Sequence, residues 1–176
     1  MKARREYPSR PLVGAGAVVY EGPRVLLIKR KYPPNEGRWA LPGGLVELGE
    51  RVQDAVVREV KEETGLAVRL EGLLDVATDI HLGEMSRPRY HYVLVDYLAC
   101  RTGGRVRLNG ESSEFGWFTA EQARKLDMSE ATRDVLSLHF SRRGIAERRS
   151  ARGSSGRHSH WKACYCSLFP LSHHSR

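Results

Sequence analysis

Residues 44–66, GLVELGERVQDAVVREVKEETGL, decide how the rest of this chain is read. Val52, Val56 and Val60 recur every four residues, the stripe of a helix over 51–64 that buries one side against a sheet. Gly65 stands just past the end of that helix. Glu59, Glu62 and Glu63 lie at i, i+3 and i+4, so they share one face within an arc of roughly 100°. Carboxylates that close repel one another, and some are pushed towards protonation unless a cation sits among them. Glu62 and Glu63 also fall in the last turn, where negative charge opposes the helix dipole at about 0.3–1 kcal/mol each. A helix chosen only for stability would carry Lys or Arg there. These glutamates serve a ligand.

All-oxygen carboxylate sites suit hard divalent ions, Mg²⁺ or Mn²⁺, and Mg²⁺ is commonly held by one or two carboxylates plus substrate phosphates. The bland alternative is a solvated acidic helix end. It weakens once the flanks are included: Gly44, five residues, Glu50, seven residues, then Arg58-Glu59-Val60-Lys61-Glu62-Glu63-Thr64-Gly65-Leu66. This resembles the Nudix box, G-x5-E-x7-R-E-U-x-E-E-x-G-U with U apolar, at every fixed position. From average residue usage, a chance match falls below about one in ten million.

The resemblance implies a hydrolase that cleaves the diphosphate linkage of a nucleoside diphosphate derivative. It implies metal held by Glu59, Glu62, Glu63 and the Gly44 carbonyl. Glu50, Arg58, Gly44 and Gly65 are then structural parts of the box, with Arg58 orienting the cluster and Glu50 pairing with it. An Arg beside carboxylates does this through a bidentate contact. A general base takes the proton from the attacking water. In the family this is Glu59 or a glutamate from a later loop, where Gly110-Glu-Ser-Ser-Glu-Phe-Gly-Trp offers Glu111 and Glu114. An acidic residue a few positions ahead of a Trp-Phe pair recurs in relatives, which favours Glu111.

Around the box the chain reads as one domain over 12–143, between a basic arm at 1–11 and a tail at 144–176. Apolar segments at 12–20 and 25–29 flank Glu21-Gly22-Pro23, a hairpin. KYPPNEGR at 31–38 is a loop, since adjacent prolines and Gly37 exclude regular structure. A short strand at Trp39–Pro42 runs into Gly43-Gly44. Strands follow the helix near 67–77 and 89–99, the second alternating only in part, as suits one covered on both faces. A short strand at Ser113–Phe118 leads to Thr119 and Gln122, a capping-box pair, and Ser129 caps an amphipathic helix through about Phe140. Strands mixed with helices on both faces give an α/β fold, an α/β/α sandwich around a mixed central sheet. The Nudix fold is of that kind, and the resemblance extends over about 12–140.

The net charge of +8 points to nucleic acid, but it is unevenly placed. Residues 1–10 hold four basic and one acidic residue, and 144–176 hold six and one, whereas 11–143 hold 19 of each. The folded core is neutral, so RNA contact would be weak, through the basic termini and phosphates only. The tail lacks helical or strand periodicity, is rich in Ser, Arg and His, and reads as disordered. Its His158-x-His160 and Cys164-x-Cys166 spacings differ from structural zinc sites. Cys100 reads as a small buried hydrophobe, and three cysteines with no bridge across the core suit a reducing cytosol. No signal peptide or membrane-spanning run is present in this sequence, which suggests a cytoplasmic protein.

Substrate choice is expected from three neighbourhoods: Arg30–Arg38, a loop at Asp79–Arg89, and the sheet residues Tyr90, Tyr92 and Trp39. Aromatics there can stack on a base, and Arg30, Arg38, Arg87 or Arg89 can grip phosphate or ribose. The pattern VLLIKRK…GRWALPGGLVELGE…ESSEFGWFT is most similar to the ADP-ribose diphosphatase-like and MutT-like groups of the family. It departs from the first where a proline is usual about fifteen residues past the box: His81 stands there, and Pro88 is the first proline. The tyrosine of diadenosine polyphosphate enzymes is absent at its usual distance too. ADP-ribose, cleaved to AMP and ribose 5-phosphate, is the first expectation. A nucleoside triphosphate diphosphatase clearing damaged nucleotides is the second, and a non-catalytic nucleotide- or RNA-binding module the third. Many relatives are dimers, so a homodimer is among the expected assemblies.

Overall fold

Gly22, with φ +56°, turns the chain between β1 (Leu12–Glu21) and β2 (Arg24–Arg30), which pair antiparallel at Tyr20↔Val25 and Glu21↔Arg24. This is the hairpin expected from Glu-Gly-Pro. The computed structural model describes residues 5–153. The segment expected as one strand at 39–42 splits at Pro42, which cannot donate to a ladder. β3 (Trp39–Ala40) stays on β2, while β4 (Gly43–Leu45) crosses to β1, with Gly43↔Gly16 and Gly44↔Ala15. α1 (Val52–Thr64) follows and stops at Gly65, whose φ of +72° closes the helix through an N–H bond to the Lys61 carbonyl.

β5 (Ala67–Leu82) and β6 (Pro88–Gly103) form an antiparallel hairpin longer than the sequence suggests. The expected loop at 79–89 is therefore mostly strand, and only 83–87 turn the chain. Alternation of exposed Val76, Ile80 and Leu82 with polar neighbours carries β5 outward as a half-covered strand. β7 (Ser112–Phe118) pairs with β2, and α2 (Ala120–Ala123) begins in the capping box of Thr119 and Gln122. Ser129 caps α3, its hydroxyl accepting from the Thr132 N–H at 3.2 Å.

α3 spans Glu130–Gly153, so the helix continues well past Phe140 and through Gly144. The expected boundary at 144 does not end it. Ala146, Glu147, Arg148 and Arg149 are good helix formers, and a single interior Gly costs only about 1 kcal/mol against Ala. The histidine and cysteine pairs of the tail lie outside the described residues.

The strands form one sheet in the order β3-β2-β1-β6-β5, with β4 added to β1 and β7 to β2. The β1–β6 pair is parallel and the others antiparallel, a mixed sheet. α1 packs on one face through Val56, Val60, Ala17, Val19 and Leu26. α2 and α3 pack on the other through Ala123, Val135, Leu136, Val18 and Leu27, with the buried Cys100 among them. Helices on both faces make the α/β/α sandwich. Among the described residues, no helix is long and apolar enough to cross a membrane.

Candidate active site

The packing of α1 sets the site. Val56 and Val60 are fully buried, so the neighbouring turn swings Glu59, Glu62 and Glu63 to the edge of the helix that faces β4. Arg58 then organises them. Its Nε and Nη2 donate to the two oxygens of Glu50 at 2.8 and 2.9 Å, a bidentate pair, and Nη2 also reaches the Leu45 carbonyl at 3.1 Å. Its Nη1 donates to Glu59 at 2.7 Å and to Glu62 at 3.3 Å. The Arg58 hydrogen bonds, and then the Glu47 N–H, hold the Glu50 carboxyl down to about 2. One guanidinium thus ties the start of the box to its end.

Glu59 lies directly against β4. A Cβ on Gly44 would come within 2.4 Å of the Glu59 carboxyl carbon, so only glycine lets the two meet. Burial pushes the Glu59 carboxyl up, and the Arg58 contacts pull against it. Glu63 is 1 % exposed and accepts two bonds of 2.8 Å, from Arg30 Nη1 and from the Gly43 N–H. Burial still outweighs Arg30 and raises the Glu63 carboxyl to about 7. Mutual repulsion, the effect expected from the sequence, contributes less than desolvation at both positions. Glu62 remains the open member of the set, its side chain 55 % exposed.

The two loop glutamates separate. Glu111 stands close enough to raise both Glu59 and Glu63 through its charge. Its backbone is fixed by bonds to the Asn109 side chain at 2.9 Å and from the Lys31 N–H at 3.0 Å. Glu114 sits across from Lys29 in the β2–β7 ladder and forms an ion pair with it at 2.9 Å.

Of the seven side chains expected to touch substrate, Arg30 and Tyr92 line a groove at the site and the other five stand elsewhere. Trp39 packs edge-on against Phe118 at 4.9 Å, in the core beneath α3. Arg38 faces Asp127 at 3.5 Å. Arg87 lies over the Tyr7 ring, and Tyr90 is buried with its hydroxyl donating to Glu6. These last two belong to a clasp in which the N-terminal arm crosses the β5–β6 hairpin, with the Tyr7 N–H bonded to the Arg89 carbonyl at 2.7 Å. Arg30 is at the site, but as the partner of Glu63.

A groove of about 140 Å³ opens on the α3 side of β4, lined by Gly16, Arg30, Gly43, Gly44, Tyr92 and Asp96 among others. Gly43 and Gly44 join it to the carboxylates. Asp96 was not among the expected site residues. The available signal was a charged residue in the otherwise apolar run Val93–Ala99 of a central strand, where burial of charge is costly. Arg5, from the arm, also lines the groove and had no sequence signal.

Among the described residues no three carboxylate, histidine or cysteine side chains converge into a ready-made metal cage. The donor set still fits a divalent ion bound together with phosphate. Glu50, Glu59, Glu62, Glu63 and Glu111 gather around Arg30 and Arg58, five carboxyls to two guanidiniums. Mg²⁺ sites of this kind leave most of the coordination to water and substrate phosphate.

Residues 10–139 match the model of the NUDIX domain, and the chain belongs to the Nudix hydrolase family. It is 37% identical over 116 residues to a protein of Methanocaldococcus jannaschii named ADP-ribose pyrophosphatase, covering 66% of this chain and 66% of that relative's length. It is 33% identical over 107 residues to the nucleoside triphosphatase NudI of Escherichia fergusonii, covering 58% of this chain and 76% of the relative. The crystal structure of a MutT NUDIX hydrolase from Burkholderia pseudomallei superposes with a TM-score of 0.67 at 36% identity, over 74% of this chain and 98% of that one.

Proposed function

We propose that this protein hydrolyses the diphosphate linkage of a nucleoside diphosphate derivative with Mg²⁺, or Mn²⁺ in its place, ADP-ribose being the first substrate and AMP and ribose 5-phosphate the products. The observation that carries the reading is the excess of negative charge gathered by Arg58 against Gly44 at the mouth of a groove. Glu59, Glu62, Glu63 and the Gly44 carbonyl are the residues that would hold the metal. Held there, such an ion would supply charge neutralisation at the diphosphate and would make a nearby water more acidic.

The chain's own residues supply the rest. Arg58 fixes the direction of Glu59 and Glu62, so the acceptors are set before substrate arrives. Glu111 takes the proton from water at its carboxylate, because Glu114 is held by Lys29 and Glu59 is engaged by Arg58. Arg30 restrains Glu63 in the free protein and stands at the groove mouth, where substrate phosphate competes for its guanidinium.

The likeness to the archaeal protein named ADP-ribose pyrophosphatase supports the substrate. The likeness to NudI supports a second reading with the same chemistry, a nucleoside triphosphate cleaved to monophosphate and pyrophosphate. The protein would act in the cytoplasm, with exposed Val76, Ile80 and Leu82 on β5 available for a homodimer. RNA contact would be weak and confined to the basic termini. The deciding experiment is a product assay on ADP-ribose, NADH, diadenosine polyphosphates, ordinary and oxidised nucleoside triphosphates and capped RNA, with and without Mg²⁺. Metal-dependent release of AMP from ADP-ribose above all others supports the first reading. Preference for a triphosphate replaces the substrate, and no turnover of any compound rejects both.

A further inference from the structure

Asp96 presents its carboxyl to the groove. It is only 7 % exposed, yet among the described residues it has no hydrogen-bond or ion-pair partner. The charged group nearest in effect is Asp75, opposite it on β5, which repels it. Nothing in the packing rewards a charge here: a buried carboxylate beside a like charge costs stability, and Asn, Thr or Val would occupy the strand at less cost. Burial, and then Asp75, raise this carboxyl to about 6, so it is still mostly ionised at neutral pH.

Its surroundings describe what it would bind. Asp96 lines the groove and lies over Gly16, where a Cβ would come within 2.5 Å of Oδ1. Leu94 lies across Gly14, where a Cβ would come within 2.9 Å of it, as Asp96 lies across Gly16, and Tyr92 borders the groove on the same face of β6. An aromatic ring and an aliphatic side chain beside a lone carboxylate suit a largely apolar group with an N–H at its edge. Gly43, Gly16 and Asp96 also lie in one row across β4, β1 and β6. Two strand spacings separate the ends of the row, about 10 Å. That is the scale on which a nucleoside separates its base from its diphosphate.

We propose that Asp96 accepts a hydrogen bond from the exocyclic amino group of the substrate's nucleobase, and so selects an amino-bearing base. The inference rests on the proposed function for the placement of the diphosphate at Gly43 and Gly44. Asp96 is a specificity residue in this arrangement and takes no part in bond cleavage.

The test is calorimetric titration of AMP, purine riboside 5′-monophosphate and ribose 5-phosphate into the full-length protein and into Asp96→Leu and Asp96→Asn. The purine riboside differs from AMP only in lacking the amino group. The wild type is expected to bind AMP about 10- to 100-fold tighter than that analogue, the range of a hydrogen bond to a charged group. Asp96→Leu should erase the difference and leave ribose 5-phosphate binding unchanged. Asp96→Asn, whose amide oxygen still accepts, should keep part of it. Equal binding of AMP and the analogue by the wild type overturns the proposal, with or without a folded Leu variant, and so does a failure to bind AMP. Equal weakening of AMP and ribose 5-phosphate by Asp96→Leu also overturns it, because the contact would then be with the sugar or the fold. Hydrolysis of the diphosphate panel is scored separately. Lost turnover with the amino preference intact counts against the proposed function alone, and turnover without the preference counts against Asp96 alone.

Discussion

The two faces of β4 handle buried negative charge in opposite ways. On the α1 face four carboxylates have a guanidinium within hydrogen-bond reach: Glu50, Glu59 and Glu62 share Arg58, and Glu63 has Arg30. On the α3 face Asp96 is buried and has none among the described residues. The first arrangement orders acceptors in advance of a ligand and keeps their surplus charge tolerable. The second leaves one acceptor with no protein donor, open to the groove and to whatever binds there. One face is built to hold a reacting group in place and the other to discriminate among what is attached to it.

The largest effect expected from breaking this contrast is in Glu62→Gln. It removes charge from the open member of the cluster, so kcat should fall on the order of 10²- to 10³-fold while the fold is kept. The metal-free melting temperature should hold or rise as repulsion is relieved. A melt many degrees lower with activity retained would reverse the assignment of the cluster. Gly44→Ala comes next. Its methyl must displace the Glu59 carboxylate, since the contact would be 2.4 Å, and kcat should drop about tenfold or more with little loss of stability. Steady-state rates beside urea melts would separate the two quantities.

Arg58→Met should destabilise the free protein, because Glu50, Glu59 and Glu62 lose their shared partner. Urea midpoints would read this directly, and an unchanged midpoint would mean that Arg58 does not organise the face.

A smaller effect separates the faces by pH. His139, buried on the inner face of α3, is lowered to about 4, by burial first and then by the charge of Arg143. The unfolded chain takes up that proton near pH 6.5 and the folded one near 4, so His139 removes stability as pH falls through this window, by up to about 1.4 kcal/mol per pH unit. Glu63 and Asp96 act with the opposite sign. Their raised carboxyls bind protons more readily in the folded state, and the stability this confers is lost as pH rises through about 7 and 6. His139→Leu should therefore leave a protein whose stability increases towards pH 5, seen as urea midpoints at pH 5 and 7. A pH dependence identical to the wild type would contradict a buried neutral histidine. Removing residues 154–176 should have the least consequence, with hydrolysis and melting temperature unchanged.

The box was legible because its parts lie within 23 residues, and a helix period alone puts Glu59, Glu62 and Glu63 on one face. The hairpin at Gly22, the end of α1 at Gly65 and the cap at Thr119 were legible for the same reason: each depends on turn and cap chemistry a few residues long. Arg30 was seen as a basic residue near the site but not as the partner of Glu63, which is 33 positions away. Trp39 and Tyr90 looked like base-stacking aromatics, and the tertiary structure gave them to the core and to the N-terminal clasp. Their composition could not separate a wall of the groove from a wall of the core.

What the sequence determined by itself is the local chemistry: a helix, its carboxylate face, its ends, and the arginine that serves them. Only the tertiary structure decided that β4 leaves β3 to join β1, bringing Gly43 into a row with Gly16 and Asp96. Strand pairing joins residues far apart in the chain, and no local period encodes which strand will be the neighbour. The groove, and the unpartnered carboxyl within it, exist only because of that pairing.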